Sequence, residues 1–317
     1  MKFLSTTGGH GASRLVYRLI TWAALACALL NLERGIWNAA PPPAGAEPAS
    51  KSASSKGDGG SRTAFSRLDV HSNIAAIADA DSSKLLYEKN ADKVTPIASI
   101  TKLMTAIVTL DAKLPLTELV TVSDDDIDDL KGTRSFLTVG TTLTREAMLH
   151  LALMSSENRA AACLSRYYPG GRPAFIAAMN REAHDLAMEN SRFVSPNGLS
   201  PEDVSTARDL IRLVKAACQY QLIRQFSTDT QFEVYVGKLG RVRLQYGNTD
   251  RLVGRQDWDI ELQKTGFINE SGRCLVMDAQ VDGRNLVMVF LDAYGRLTCF
   301  ADARRVRRQL AILDRRR

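Results

Sequence analysis

The chain has 317 residues, 45% of them hydrophobic and 24% charged, the composition of a globular protein able to bury a sizeable core. Its formal net charge of +6 is concentrated at one end: seven arginines (Arg304, Arg305, Arg307, Arg308, Arg315, Arg316, Arg317) fall in the last fourteen residues, and the rest is near balance. A solvated helix face accounts for that cluster, and without basic–aromatic interleaving or a recognised binding motif it excludes nucleic acid as a partner.

Lys2, Arg14 and Arg18 precede an apolar run, Leu19 to Leu30. A positive stretch followed by an apolar run of that length is an export signal, too short for a confident membrane span. Ala44-Gly45-Ala46 offers a cleavage site before Glu47, so residues 1–46 read as a signal peptide or, uncleaved, a signal anchor giving loose membrane association. Residues 47–64 are rich in Pro, Ala, Gly and Ser and cannot bury enough apolar surface to order themselves, which makes them a linker. The expected folded domain is 65–317. Beyond Cys27 in the signal, Cys163, Cys218, Cys274 and Cys299 are widely spaced with no Cys-x-x-Cys, and read as small core residues. A Cys274–Cys299 disulfide is permitted by export but nothing requires it.

Two short apolar runs, 73–79 and 84–89, joined by Ala80-Asp81-Ser82-Ser83, predict a β-hairpin. The middle is helical. Thr144 to Met154 is apolar on most faces, Arg159 to Tyr168 stops at Pro169-Gly170-Gly171, and Pro173 suits the first turn of a third helix carrying Ile176, Met179, Ala183 and Leu186. Thr206 and Asp209 form a cap for a fourth, with Leu210, Leu213, Val214 and Ala217 on one face. Strand-like runs follow at 260–268, 274–281 and 286–293, the last two joined by Asp282-Gly283-Arg284-Asn285, and a helix over 299–313 closes the chain. Strands at both ends with helices between predict an α/β (α+β) fold: an antiparallel sheet built from the two termini, flanked by helices, with an all-helical insertion beside it.

Three short constellations carry chemistry. Ser99-Ile100-Thr101-Lys102 opens an apolar helix, so the Lys102 amine can face the Ser99 hydroxyl from three residues away. A serine is a poor nucleophile until a base takes its proton, and lysine is such a base only where burial or a neighbouring cation lowers its pKa. Ser156-Glu157-Asn158 ends the buried helix, where a hydroxyl and an amide two residues apart can point into one cleft: Ser156 to relay a proton, Asn158 to bind a substrate amide. Lys264-Thr265-Gly266 lies in a strand-like run. Its cation and hydroxyl suit a carboxylate, its glycine the close approach of a peptide backbone, and Lys264 near Lys102 would help depress the latter's pKa. Each pattern alone is a chance match, as Ser195-Pro196-Asn197 shows: that copy of Ser-x-Asn is explained by a turn.

Together, in this order and on helix start, post-helix loop and strand, the three form the signature of penicillin-binding proteins and class A β-lactamases. The chain resembles the low-molecular-mass penicillin-binding proteins, within them the D-alanyl-D-alanine endopeptidases, from about residue 70 to 312. Ser99–Pro115, Leu151–Ala162, Tyr168–Gly171, Val204–Leu210, Gln263–Ile268 and Cys274–Met277 carry the likeness, and Glu157 fits the endopeptidase subgroup. The resemblance implies a DD-peptidase/β-lactamase-like fold with a five-stranded sheet. It implies an acyl-enzyme on Ser99, with Lys102 as base, Ser156 as proton relay, Asn158, Lys264, Thr265 and Gly266 lining the substrate, and the backbone N–H groups of Ser99 and Phe267 as the oxyanion hole. Peptidoglycan stem peptides would be the substrate, β-lactams covalent inhibitors and the periplasm the location, with no metal or cofactor.

Other classes fit poorly. After the signal the histidines are His71, His150 and His184, and no Gly-x-Ser-x-Gly exists for a Ser-His-Asp hydrolase. His150, inside an apolar helix, reads as a core residue. No His-x-x-x-His or cysteine cluster suits zinc. The acidic run Asp124-Asp125-Asp126-Ile127-Asp128-Asp129 lacks the glycine and glutamate of a calcium loop, Asp129 and Ser135 standing there instead, and reads as a solvated loop. A class A β-lactamase needs a deacylating carboxylate, and Glu182, Glu189 and Glu202 lack the local pattern. A non-catalytic penicillin sensor would not need every catalytic side chain. A D-alanyl-D-alanine carboxypeptidase is the nearer alternative; the short stretch from the last strand-like run to Arg317 favours a compact endopeptidase.

Overall fold

The computed structural model describes Phe65, residues 68–237 and residues 240–314. The export signal with Ala44-Gly45-Ala46 and Cys27, the linker, and Arg315–Arg317 lie outside the described residues.

The first apolar runs form β1 (Ile74–Asp79) and β2 (Leu85–Lys89), as expected. Asp79 shapes their turn by accepting from the Ser82 backbone N–H (2.7 Å) and hydroxyl (2.6 Å). The chain then passes through β3 (Thr95–Pro96) and a 3₁₀ turn, Ala98–Ile100, into α1 (Thr101–Asp111). Helix α1 is buried from Thr101 to Thr109, which its uniformly apolar character requires of a central helix. β4 (Leu119–Thr121) and β5 (Thr142–Thr144) pair across the acidic loop. Thr144 caps α2 (Arg145–Met154), and Glu157 caps α3 (Asn158–Arg166). Gly170, at φ 85°, turns the chain into α4 (Gly171–Asp185), with Pro173 in its first turn. β6 (Val204–Ser205) leads into α5 (Ala207–Ala217), capped by Thr206 accepting from Asp209 N at 3.1 Å.

Beyond α5 the sequence reading had no element before residue 260. The structure places α6 (Gln221–Thr228) and a hairpin of β7 (Gln231–Val236) and β8 (Val242–Gly247) there. The insertion between the terminal strands is therefore not all-helical: it also carries the pairs β3–β6, β4–β5 and β7–β8. These strands escape a reading by periodicity because each pairs only with its one partner and buries little; in β7 only Val234 is fully buried.

β9 (Asp259–Ile268), β10 (Gly272–Val281), β11 (Arg284–Ala293) and α7 (Thr298–Asp314) complete the chain. The turn between β10 and β11 is tighter than predicted, the two residues Asp282 and Gly283, at φ 49° and 74°. The sheet order is β2-β1-β11-β10-β9, antiparallel throughout. Side chains alternate between faces along each strand, and both faces are covered. Ile74, Ala76, Val276, Val287 and Val289 pack with α1, α2 and α5 on one side. Ala75, Ile77, Leu275, Met277 and Phe290 pack with Ala303, Val306 and Leu310 of α7 on the other. This two-sided burial is why the strands read as continuous apolar runs.

Other expectations change in detail. The acidic loop is solvated at Asp124, Asp125 and Asp129, but Asp126 is buried and Asp128 partly so. Asp126 is 2% exposed and paired with Arg166 and Arg172, while Asp128 accepts from the backbone N–H groups of Leu130, Lys131 and Thr133. The four described cysteines are free thiols. Among the described residues no helix is long and apolar enough to cross a membrane.

One buried carboxylate ties the last helix to the first strand. Asp302 accepts from His71 N (3.0 Å), Ser72 N (2.8 Å) and the Ser72 hydroxyl (2.6 Å), and pairs with Arg305 at 2.8 Å. Asp302→Ala would leave these buried donors without an acceptor. It is expected to cost about 3 kcal/mol of stability, read as a lower denaturant midpoint at unchanged slope.

Candidate active site

Ser99 stands in the 3₁₀ turn at the start of α1, one residue after Ala98, which is held at φ 50°. Lys102 follows on the same helical face and is completely buried, with Nζ 2.8 Å from Ser99 Oγ. Nζ also donates to Asn158 Oδ1 (2.8 Å) and to the backbone carbonyl of Asn197 (2.7 Å). A neutral amine can donate twice and accept once. Two carbonyls and one hydroxyl are the partners such an amine needs, leaving its lone pair for the Ser99 proton.

Each partner is itself held. Asn158, the first residue of α3, donates through Nδ2 to Thr133 Oγ1 (3.0 Å), and Thr133 is fixed by the turn around Asp128. Asn197 lies in the turn after α4. Asp203 holds that turn by accepting from Val194 N (2.7 Å), Ser195 N (2.9 Å) and the Ser195 hydroxyl. Gly198, at φ 76°, lets the turn close onto the nucleophile's backbone; a Cβ there would stand 2.0 Å from the Ala98 carbonyl oxygen. The Ser195-Pro196-Asn197 segment is therefore part of the site, through a main-chain carbonyl.

The KTG strand lies at the sheet edge. Lys264 is fully buried and donates to the Thr265 carbonyl at 2.9 Å; Thr265 Oγ1 donates to Thr249 Oγ1 at 2.6 Å. A Cβ on Gly266 would meet Ile97 O at 3.0 Å and Ser99 N at 3.1 Å. The close approach that this glycine permits is thus that of the chain's own Ile97–Ser99 backbone, and it brings the Phe267 main chain beside Ser99. Phe267 is 46% exposed, its ring under the Arg273 guanidinium at 3.8 Å. Ser156 sits in the link between α2 and α3 at φ 61°, lining the same cleft as Asn158. Among the described residues it makes no hydrogen bond to Lys102 or Lys264.

Burial dominates the electrostatics. It brings the Lys102 pKa down to about 7, against the opposing pull of Glu157, Asp203 and Asp128. Lys264 is depressed too, by burial first and then by the charge of Lys102. The expected depression of Lys102 by Lys264 is not among the causes of its shift, which is desolvation; the charge of Lys102 acts on Lys264 instead. Glu157 and Asp203 are raised by their own burial, and Asp250, facing Lys264, is raised to about 6.

The structure brings Lys102 and Asn158 and the Gly266 backbone to Ser99, and it places Ser156 with Asn158 in the lining of one cavity. Sequence reading missed the carbonyl of Asn197, the turn-building Asp203 and Gly198, and the Asp128–Thr133 loop. Their only sequence signals were the Pro-Asn-Gly turn and an acidic run. His150 is the core residue expected, its ring between Phe226 (4.4 Å) and Phe232 (3.9 Å). Among the described residues no group of three or more side chains is arranged to hold a metal.

The profile of the D-alanyl-D-alanine carboxypeptidase family, peptidase family S11, matches residues 61–295. A D-alanyl-D-alanine endopeptidase of Pseudomonas aeruginosa is 48% identical over 242 residues, 76% of this chain and 78% of the relative. One from Escherichia coli is 47% identical over 245 residues, 77% and 79% of the two chains. Among solved structures, the Streptomyces K15 DD-transpeptidase superposes with a TM-score of 0.70 at 25% identity, covering 76% of this chain and 97% of that one. Penicillin-binding protein D2 of Listeria monocytogenes, in a cefotaxime-bound form, gives 0.67 at 27% identity, covering 76% and 98%. With a buried lysine on its serine and a profile match over most of its length, the chain belongs to the D-alanyl-D-alanine carboxypeptidase family of serine peptidases.

Proposed function

We propose that the protein is an exported serine DD-peptidase that hydrolyses D-alanyl cross-links between peptidoglycan stem peptides, acting as an endopeptidase. The observation that carries this reading is the contact between Ser99 Oγ and a buried amine poised near neutrality. The relatives named endopeptidase, at 47–48% identity, favour the cross-link over a terminal D-alanine; the family description itself names a carboxypeptidase, which remains the second reading.

In this reading Ser99 Oγ attacks the D-alanyl carbonyl carbon while its proton passes to Lys102. The backbone N–H groups of Ser99 and Phe267 receive the developing oxyanion. The carbon–nitrogen bond breaks, and the proton returns to the leaving amine through Ser156. Water then attacks the acyl-enzyme, giving up a proton to Lys102 and releasing the acyl stem with Ser99 restored. Asn158 would hold the substrate amide, and Lys264 with Thr265 the carboxylate beside the leaving amine. An arriving carboxylate favours the charged form of Lys264 and so reverses its depression. A β-lactam carbonyl would be attacked by the same oxygen, which makes these drugs covalent inhibitors. Residues 1–46 would direct export to the periplasm, 47–64 would act as a linker and 65–317 as the enzyme.

Ser99→Ala is expected to abolish covalent labelling by penicillin while the protein still folds; persistent labelling would place the nucleophile elsewhere. The acylation rate should rise with pH up to about 7, where the Lys102 amine loses its proton, and level off above it. A profile flat between pH 5 and 9 would exclude Lys102 as the base. Purified protein incubated with a cross-linked muropeptide dimer and a monomeric pentapeptide, followed by mass spectrometry, tests the reaction itself. Conversion of dimer to monomers supports the endopeptidase, and loss of only the terminal D-alanine the carboxypeptidase.

A further inference from the structure

Ser156 helps to line a cavity of about 280 Å³, together with Arg134, Phe136 and Ser155 and with Gln245, Tyr246 and Gly247 of β8. Glu157 and Asn158 also face it, Glu157 as a buried carboxylate that caps α3 by accepting from Arg159 N at 3.2 Å. Its place relative to the chemistry is set by two contacts. Ser156, the proposed donor to the leaving amine, is one of its lining residues. Thr249, two residues beyond Gly247 of β8, accepts from Thr265 Oγ1, so the end of the strand that lines the cavity is tied to the strand proposed to hold the carboxylate.

Two features there have no use within the free protein. The Arg134 guanidinium is exposed, with no carboxylate or hydrogen-bond partner among the described residues. The Tyr246 hydroxyl is buried without a hydrogen-bond partner, although the residue is only 6% exposed and its ring packs edge-on against Phe136 at 5.9 Å. A buried hydroxyl left unpaired is costly, and a cation at a cavity rim attracts anions. A terminal D-alanine ends at the carboxylate that Lys264 and Thr265 would hold, and has nothing to place further out. A leaving group that continues as a second stem peptide does.

We infer that this cavity receives the leaving stem of the cross-link, with Arg134 pairing a carboxylate carried by that stem and the Tyr246 hydroxyl bonding to one of its amides. The inference rests on the acyl-enzyme reading above. It adds the groups that make a cross-linked stem a better substrate than a single D-alanine.

The test compares kcat/KM for dimer cleavage with the second-order rate of penicillin acylation, in the wild-type protein and in R134Q, R134K and Y246F. The ratio should fall about threefold to tenfold in R134Q, the range of an accessible ion pair partly covered by substrate, and less so at high salt. R134K should keep most of it, and Y246F should lower it without loss of stability. A dimer amidated on its leaving stem should be cleaved by the wild type as poorly as the native dimer is by R134Q. An unchanged ratio in R134Q, or equal losses in both reactions, overturns the inference and leaves the endopeptidase reading standing. Wild-type protein that is acylated by penicillin but leaves the dimer uncut removes both.

Discussion

The structure is organised around one buried amine. Lys102 has no contact with solvent, and a charge in such a place is tolerated only if it is neutralised or fully hydrogen-bonded. Its three partners come from three separate segments: the turn at the start of α1, the first residue of α3, and the carbonyl of Asn197 some 95 residues further along the chain. The folded chain satisfies the amine only when all three are in place. The geometry that makes Lys102 acceptable in the core is therefore the geometry that aims it at Ser99.

The surrounding scaffold fixes that arrangement through contacts with little freedom to adjust. Central helix α1 is gripped by apolar neighbours along nearly its whole length, so its first turn cannot rotate. Gly266 lets the edge strand β9 lie against Ile97–Ser99, and Gly198 lets the Asn197 turn close from the other direction. Gln263, one residue before Lys264, donates to the Ser227 carbonyl (2.7 Å) and Asn248 Oδ1 (2.8 Å), tying the edge strand to α6 and to the segment after β8. Sheet and helical insertion are thereby joined at the cleft itself.

The acidic groups near Lys102 have a structural origin. Asp128 and Asp203 are engaged mainly with backbone N–H groups of their own turns, and Glu157 with the first turn of α3. They stabilise a proton on Lys102 as a consequence, and burial outweighs them. The result is an amine near neutrality, where a base can both accept the serine proton and return it. The acyl chemistry is common to enzymes that release one residue and enzymes that release a stem. In the proposed reading, what separates those tasks lies outside the three motifs, along the loop carrying Arg134 and the β7–β8 hairpin.

The sequence by itself determined the five strands of the sheet, the helices α1 to α5 and α7, and the candidate residues Ser99, Lys102, Ser156, Asn158 and Lys264 to Gly266, while Phe267 came from the family resemblance. These were legible because their signals are local: apolar periodicity, capping residues such as Thr206, and side-chain types at fixed spacing. The tertiary structure alone decided that the Asn197 carbonyl completes the lysine's partners, that Asp126 and Asp128 are structural anchors, that Gly266 accommodates the chain's own backbone, and that β7 and β8 wall the cleft. A main-chain carbonyl has no residue type to announce it, and short strands that pair only with each other carry little periodicity. Both acquire their roles from contacts between distant segments, which only the packed chain supplies.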